Sequence, residues 1–74
     1  MAKVKDKELL HKIACEIKQL RTARGITQEV FYNDTNIHIG RIECGNTNIS
    51  VSTLKTICDY FQITLSDFFS HIPA

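Results

Sequence analysis

The segment TQEVFYNDTNIHIGRIECG, residues 27–45, constrains the fold of this chain more than any other part of its sequence. Thr27 is a residue type that caps the amino terminus of a helix, and a short helical run follows it. Asn33 and Asp34 favour turns and should break that run. The chain then restarts as a second helix, capped by Asp34 or Thr35. We therefore predict two short helices joined by a tight polar turn.

Apolar residues recur at three- and four-residue steps along most of the remaining chain, which is the pattern of helices with one buried face. One such helix is predicted from about Lys7 to Ala23. A fourth begins at Ser50 or Ser52, and a short fifth begins near Thr64 or Ser66. We expect no strand. The residues predicted to face the core are Leu10, Ile13, Ile17, Leu20, Ile39, Ile42, Leu54, Ile57, Cys58 and Phe61.

The length of the chain, 74 residues of which 43% are hydrophobic, predicts a single domain covering residues 1–74. A chain this short has no room for a substrate-enclosing cleft, so we do not expect an enzyme. A domain of this size buries only about 60% of its unfolded surface, and a homodimer would add stability. Since no apolar run reaches roughly 18 to 20 residues and the start, MAKVKDKELLHK, has no uninterrupted apolar region of the kind used for export, we expect a cytoplasmic protein without membrane contact.

The cysteines and histidines fall at no spacing that metal ligands use. Cys15, Cys44 and Cys58 are odd in number and form no C-x-x-C pair, which disfavours disulfides and zinc sites. The histidines, at positions 11, 38 and 71, are equally scattered. No titratable pair lies at a recognisable catalytic spacing. We therefore expect no metal, cofactor, small-molecule ligand or catalytic residue, and ordinary core or surface roles for these side chains.

Charge is distributed unevenly although the net charge is only +1. Residues 1–25 include seven basic and three acidic residues, whereas residues 26–74 include two basic and five acidic ones. A basic end can face phosphates while the acidic part faces solvent or a partner, although a lysine-rich amino terminus is more often a solvated tail. We expect residues 1–6 to form a flexible basic tail.

Three motifs carry a resemblance to a known family: TQE at residues 27–29, I-x-R-I-E-x-G at residues 39–45 and S-x-x-T-L at residues 50–54. The chain resembles the Cro and phage-repressor helix-turn-helix family, often called XRE. The resemblance implies an all-α, five-helix lambda-repressor-like domain in which helices 2 and 3 form the helix-turn-helix. It also implies a bacterial or phage-encoded transcriptional regulator, associated with the nucleoid, that binds double-stranded DNA.

In such domains the amino-terminal part of helix 3 contacts bases in the major groove, which implies base contacts from Thr35, Asn36, Ile37 and Arg41. Asn36 would pair with adenine and Arg41 with guanine, while Ile37 would pack on a thymine methyl group. The alternatives are that Asn36 only shapes the turn and that Arg41 only binds phosphate.

The resemblance implies phosphate contacts from two further places. Gln28 occupies the position of the family's helix-2 glutamine, which contacts a phosphate and braces helix 3, and Thr27 would join it. The alternative is a plain helix cap followed by a surface glutamine. Asn46, Thr47 and Asn48 occupy the family's phosphate-contacting loop but lack its frequent Lys or Arg, so their contacts would be neutral hydrogen bonds with a shallow salt dependence.

The same resemblance also concerns the internal structure. Arg21 and Glu43 look like the family's internal ion pair, which assigns them to structure rather than to DNA contact. Gln28 and Glu43 lie 15 positions apart, about three fewer than is usual in the family, so helix 2 is predicted to be shortened by close to one turn.

Two positions near the turn depart from common helix chemistry. The family's turn glycine is missing, so Asn33 or Asn36 is expected to take the left-handed conformation in its place. Gly40 lies inside helix 3, where glycine costs about 1 kcal/mol relative to alanine. Either DNA or helix 2 comes so close to position 40 that no side chain fits there, or the position simply tolerates glycine.

The last predicted helix carries Phe68, Phe69 and Ile72, more apolar surface than one face of a small core needs. We expect these residues to form a homodimer interface, so that the dimer reads two half-sites of a pseudo-palindromic operator as a repressor. The alternative is that all three complete the monomer core. A second function remains open, in which the same fold is an antitoxin-like protein-interaction module with weak DNA binding.

Overall fold

A computed structural model describes residues 6–45 and 47–72 of the chain. Its five helices are α1 (Lys7–Ala23), α2 (Gln28–Thr35), α3 (Ile39–Glu43), α4 (Val51–Tyr60) and α5 (Leu65–Ser70). The predicted all-α, five-helix fold is confirmed, and the residues that the structure describes contain no strand. None of these helices is long and apolar enough to cross a membrane.

Four helices begin at a residue whose side chain caps their amino terminus. Asp6, Thr27, Ser50 and Thr64 each accept a hydrogen bond from the backbone N–H three residues further on. Such a cap stabilises a helix by about 1 kcal/mol. The predicted starts of α1, α2, α4 and α5 are therefore confirmed. Asp6 was predicted to lie in a flexible tail, but it caps α1. The rest of that predicted tail, residues 1–5, lies outside the described residues.

The core combines side chains from all five helices. Every residue predicted to face it is buried except Leu20, which is half-buried and packs against it. Phe31 is fully buried and carries α2 into this core. The centre of its ring lies 4.7 Å from that of Tyr60 and 5.7 Å from that of Phe61. These aromatic contacts hold α2 against the end of α4.

The boundary between α2 and α3 differs from the prediction. α2 continues past the predicted break to Thr35, and α3 begins only at Ile39, without a side-chain cap. The predicted cap of helix 3 at Asp34 or Thr35 is wrong because both side chains are bonded elsewhere. The hydroxyl of Thr35 donates to the carbonyl of Phe31 at 2.8 Å, and Asp34 accepts from the hydroxyl of Tyr60 at 2.6 Å.

Asn36 ends α2 in the left-handed conformation, with a φ of 61°. Of the two asparagines proposed for this conformation, it is therefore Asn36 that replaces the family's turn glycine. α2 spans eight residues and α3 only five. Three residues, 36–38, connect them, so the two helices are held close together at the surface.

The carboxyl-terminal helix packs back onto the core through Phe68, which is fully buried. The prediction that Phe68 contributes to an exposed apolar patch is wrong, because this side chain is needed to fill the core of the single chain. Phe69 is 43% exposed, and Ile72 is half-buried and packs against the core. Phe69 is thus the main apolar side chain that this end of the domain presents to solvent.

Candidate nucleic-acid interface

The orientation of α3 depends on a buried ion pair at its carboxyl end. The Nε and Nη2 atoms of Arg21 donate to the two carboxylate oxygens of Glu43 at 2.7 and 2.9 Å. The two side chains are only 10% and 5% exposed. Nη1 of Arg21 also donates to the carbonyl oxygen of Ile26 at 2.8 Å. One guanidinium group therefore ties together α1, the α1–α2 connection and α3.

This pairing shifts the pKa of both groups. Burial by itself raises the pKa of Glu43, but hydrogen bonds from Arg21 and Gln28 and the positive charges of Arg21 and Lys18 outweigh it, so the pKa lies below its ordinary value of 4.5. The hydrogen bond to Glu43 raises the pKa of Arg21. Both groups are therefore charged at neutral pH, and the pair is a true ion pair.

Gln28 links the start of α2 to the same carboxylate. Its Nε2 donates to Glu43 Oε1 at 3.0 Å, and the side chain passes over Gly40. A Cβ at position 40 would lie 3.0 Å from Gln28 Oε1, tighter than nearly all real contacts. The close approach at Gly40 is thus made by α2. In the structure Gln28 braces α3, and its phosphate contact stays a prediction.

The outer surface of α3 forms a ridge between two open grooves. His38 and Arg41 are exposed and line both of them. The opposite face of α3 buries Ile39 and Ile42 in the core. The remaining residues of the first groove are Gln28, Glu29, Tyr32, Ile39, Gly40 and Cys44, and those of the second are Ile37, Ile42, Thr47, Asn48, Ile49, Ser50 and Thr53.

The rings of Tyr32 and His38 lie against each other beside this ridge in a tilted arrangement, with centres 4.5 Å apart and an angle of 30° between their planes. The sequence predicts an ordinary core or surface role for His38, and no motif distinguishes Tyr32. One feature of the sequence does indicate that His38 and Arg41 share an exposed face. They stand three residues apart, and each directly precedes a residue predicted to face the core, Ile39 or Ile42. The contact with Tyr32 crosses the turn, and no such feature indicates it.

The residues predicted to contact bases do not all lie on α3. Thr35 is the last residue of α2, and its hydroxyl both donates to Phe31 and accepts from the backbone N–H of Ile37. Asn36 is exposed and Ile37 is half-buried against the core, both in the α2–α3 connection. The prediction that these three begin helix 3 is wrong, since α3 starts later. Arg41 does lie on α3, in its exposed ridge.

The residues predicted to contact phosphate lie on both sides of the ridge. The hydroxyl of Thr27 accepts from the backbone N–H of Val30 at 3.1 Å, so it caps α2. Thr47 donates to the carbonyl oxygen of Arg41 at 3.2 Å, which fastens the α3–α4 loop to α3. Asn48 is exposed beside it. Asn46 lies outside the described residues.

The comparison with protein families adds the deciding observation. A family model described as Cro/C1-type HTH DNA-binding domain matches residues 16–74, which include α2, α3 and both members of the ion pair. The chain belongs to this family. No curated protein and no solved structure matches it. Membership in the Cro/C1-type family identifies a DNA-binding helix-turn-helix domain of a regulator, and such domains are typically not enzymes.

In this Cro/C1-type domain, replacing Glu43 with Gln should lower the free energy of unfolding by about 3 to 5 kcal/mol, because it leaves the buried Arg21 without a balancing charge. The matched control is Asp59→Asn. Its pair with Lys55 is equally short, 2.6 Å, but both side chains are more than half exposed. That change should cost less than about 1 kcal/mol. Urea denaturation at pH 7 measures both, and equal losses would contradict a structural role for the buried pair.

Acid titration of the same two variants supplies an internal check. Because the pKa of Glu43 is lowered by folding, the stability it contributes is complete above its ordinary value of 4.5 and is lost as pH falls through the lower folded value. The difference between the parent protein and Glu43→Gln should therefore shrink below about pH 4. A difference that stays constant down to pH 3 would argue against the assignment.

The contact between Gly40 and Gln28 predicts that two substitutions are coupled. Gly40→Ala adds helix propensity worth about 1 kcal/mol but displaces the side chain of Gln28. In a Gln28→Ala background nothing is displaced, so Gly40→Ala should be more favourable there by at least about 0.5 kcal/mol. A double-mutant cycle of urea denaturation measures this coupling, and strict additivity would show that Gly40 is merely tolerated.

Proposed function

We propose that this protein is a transcriptional repressor that binds a pseudo-palindromic operator as a homodimer, with α3 in the major groove. The observation that carries the proposal is the ridge of α3, where Arg41 projects between two open grooves while the opposite face is anchored in the core. The major groove admits one helix, and a ridge that is flanked by grooves can enter it without a clash from neighbouring elements.

The base contacts of the proposal come from the ridge and from the connection before it. Arg41 pairs with the O6 and N7 atoms of guanine through its planar guanidinium group. Asn36 offers an amide to adenine, and Ile37 offers methyl groups to thymine. Thr35 contributes by holding this connection, since its hydroxyl already bonds the backbone on both sides. Each good bidentate contact between a side chain and a base is worth about 1 to 3 kcal/mol of discrimination against the wrong base.

The phosphate contacts flank the ridge. Thr27 and Gln28 stand at the amino terminus of α2, where backbone N–H groups can donate to one phosphate. The loop residues Asn46, Thr47 and Asn48 contact a second phosphate on the other side. Since all of these are neutral, binding depends less on salt than it does for domains that use Lys or Arg there.

The dimer of the proposal forms through the carboxyl-terminal helix. Phe69 is 43% exposed there, with the half-buried Ile72 in the same region, while Phe68 supports them from the core. A pseudo-palindromic operator requires that the twofold axis of this dimer place two copies of α3 on one side.

Selection of bound sequences from a random duplex pool at 0.15 M salt tests the operator. A twofold-related motif should be enriched, and Arg41→Ala should weaken binding to it by about tenfold to a hundredfold while changing the affinity for random DNA much less. Lys55→Ala is the control, because it removes the same charge from α4 outside both grooves. It should reduce both affinities slightly and equally.

Two results would overturn this proposal in different ways. If no motif is enriched, sequence-specific binding fails, and a protein-interaction module that uses its acidic surface becomes the better explanation. If Arg41→Ala weakens binding to selected and random DNA to the same extent, Arg41 contacts only phosphate.

The dimer predicts that Phe69→Glu shifts the protein to monomer in sedimentation equilibrium at micromolar concentration, since a charge would be buried in the interface. Val51→Glu is the control, because Val51 is 73% exposed on another helix, and this variant should remain a dimer. A parent protein that sediments as a monomer, or a Phe69→Glu variant identical to it, would contradict the proposed interface.

A further inference from the structure

We propose that His38 is a DNA-contacting residue and that its protonation couples DNA affinity to pH. The inference rests on the proposed function, because it deepens the description of the same ridge. It concerns a side chain that the motifs of the family did not single out in the sequence.

The position of His38 is unlike that of the other histidines. It is exposed, lines both grooves together with Arg41, and stands immediately before α3 without making a capping hydrogen bond to it. Its imidazole nitrogens are therefore not committed to the helix. A ligand that lies along the ridge and contacts Arg41 can also contact this ring, since both side chains line the same two grooves.

Tyr32 holds the imidazole in place. The two rings lie tilted against each other with centres 4.5 Å apart. A side chain that is already held by such a contact loses less conformational entropy when DNA binds. Tyr32 lies on α2, whose own position is set by the burial of Phe31. Tyr32 is thus a positioning residue, and His38 is the residue that meets the DNA.

The titratable groups that line the grooves with His38 come from α2 and α3, and the direction of the pH dependence is decided by the phosphates of the bound DNA. In the first groove, the titratable groups beside His38 are Glu29 and Tyr32 of α2, Arg41 of α3 and Cys44 at the end of α3. In the second groove, the charged residue beside His38 is again Arg41. Neutral imidazole has one N–H donor, whereas the imidazolium ion has two and a positive charge. DNA phosphates favour the charged form, so binding takes up a proton and affinity rises as pH falls.

Fluorescence anisotropy with the selected duplex, and with a random-sequence duplex of equal length, tests the inference at pH 6 and pH 8 and constant ionic strength. Histidine changes its charge in this range. A single linked proton limits the response to tenfold per pH unit, and we expect the parent protein to bind about threefold to tenfold more tightly at pH 6. His38→Gln should lose most of this difference.

Three further variants separate the roles. His71→Gln removes a histidine that lines the groove between α1 and the carboxyl end, and it should keep the full pH response. Tyr32→Phe keeps the ring beside His38 and should behave like the parent protein, whereas Tyr32→Leu should weaken binding and flatten the response. Thermal melts should show all four variants folded, because the replaced side chains are exposed.

The outcomes distinguish this inference from the proposed function. If His38→Gln keeps the parent affinity and pH response on both duplexes, the inference is wrong, while a loss of sequence-specific binding in Arg41→Ala still supports the proposed function. If no duplex is enriched but His38→Gln flattens the pH response on random DNA, His38 contacts DNA and the sequence-specific function is wrong.

Discussion

The paired charges of Arg21 and Glu43 connect the part of this domain that would touch DNA to the part that gives it stability. A helix of five residues such as α3 cannot persist alone in water, because forming the first turn costs more than the few hydrogen bonds return. Burial of Ile39 and Ile42 holds one face of α3, and the ion pair holds its end. Because Arg21 also donates to the carbonyl oxygen of Ile26, the same guanidinium group holds the α1–α2 connection just before the cap of α2.

Gln28 and Gly40 extend this constraint across the two helices. The amide of Gln28 donates to the carboxylate of Glu43, and the absence of a side chain at position 40 lets it pass without displacement. The angle between two packed helices is kept by the contacts between them. Here the helices are short, and a polar network with buried charges carries much of that task. Such a network is specific in geometry because each donor has one partner at hydrogen-bonding distance.

The sequence was sufficient for those features that depend on local chemistry. Thr27, Ser50 and Thr64 are predictable as caps because each needs only the backbone N–H three residues ahead. The end of α2 was not predictable in this way. Asp34 and Thr35 are equally suited to a turn or a helix end. Which of the two they form depends on their hydrogen-bond partners, the hydroxyl of Tyr60 in α4 for Asp34 and the carbonyl of Phe31 within α2 for Thr35. The contact of Tyr32 with His38 is likewise a tertiary contact across the turn. Phe68 and Phe69 are adjacent, so composition could not show which of them the core takes.

The weak net charge of +1 places a limit on how a domain of this kind can recognise DNA. Attraction to phosphates supplies most non-specific affinity, and the loop beside α3 offers little of it because its residues are neutral. Recognition must then depend on contacts at close range, where Arg41 and His38 are the exposed side chains of the ridge that can meet the DNA. A single positive charge matters more on such a surface than on a strongly basic one, since it is a larger share of the total charge that meets the DNA.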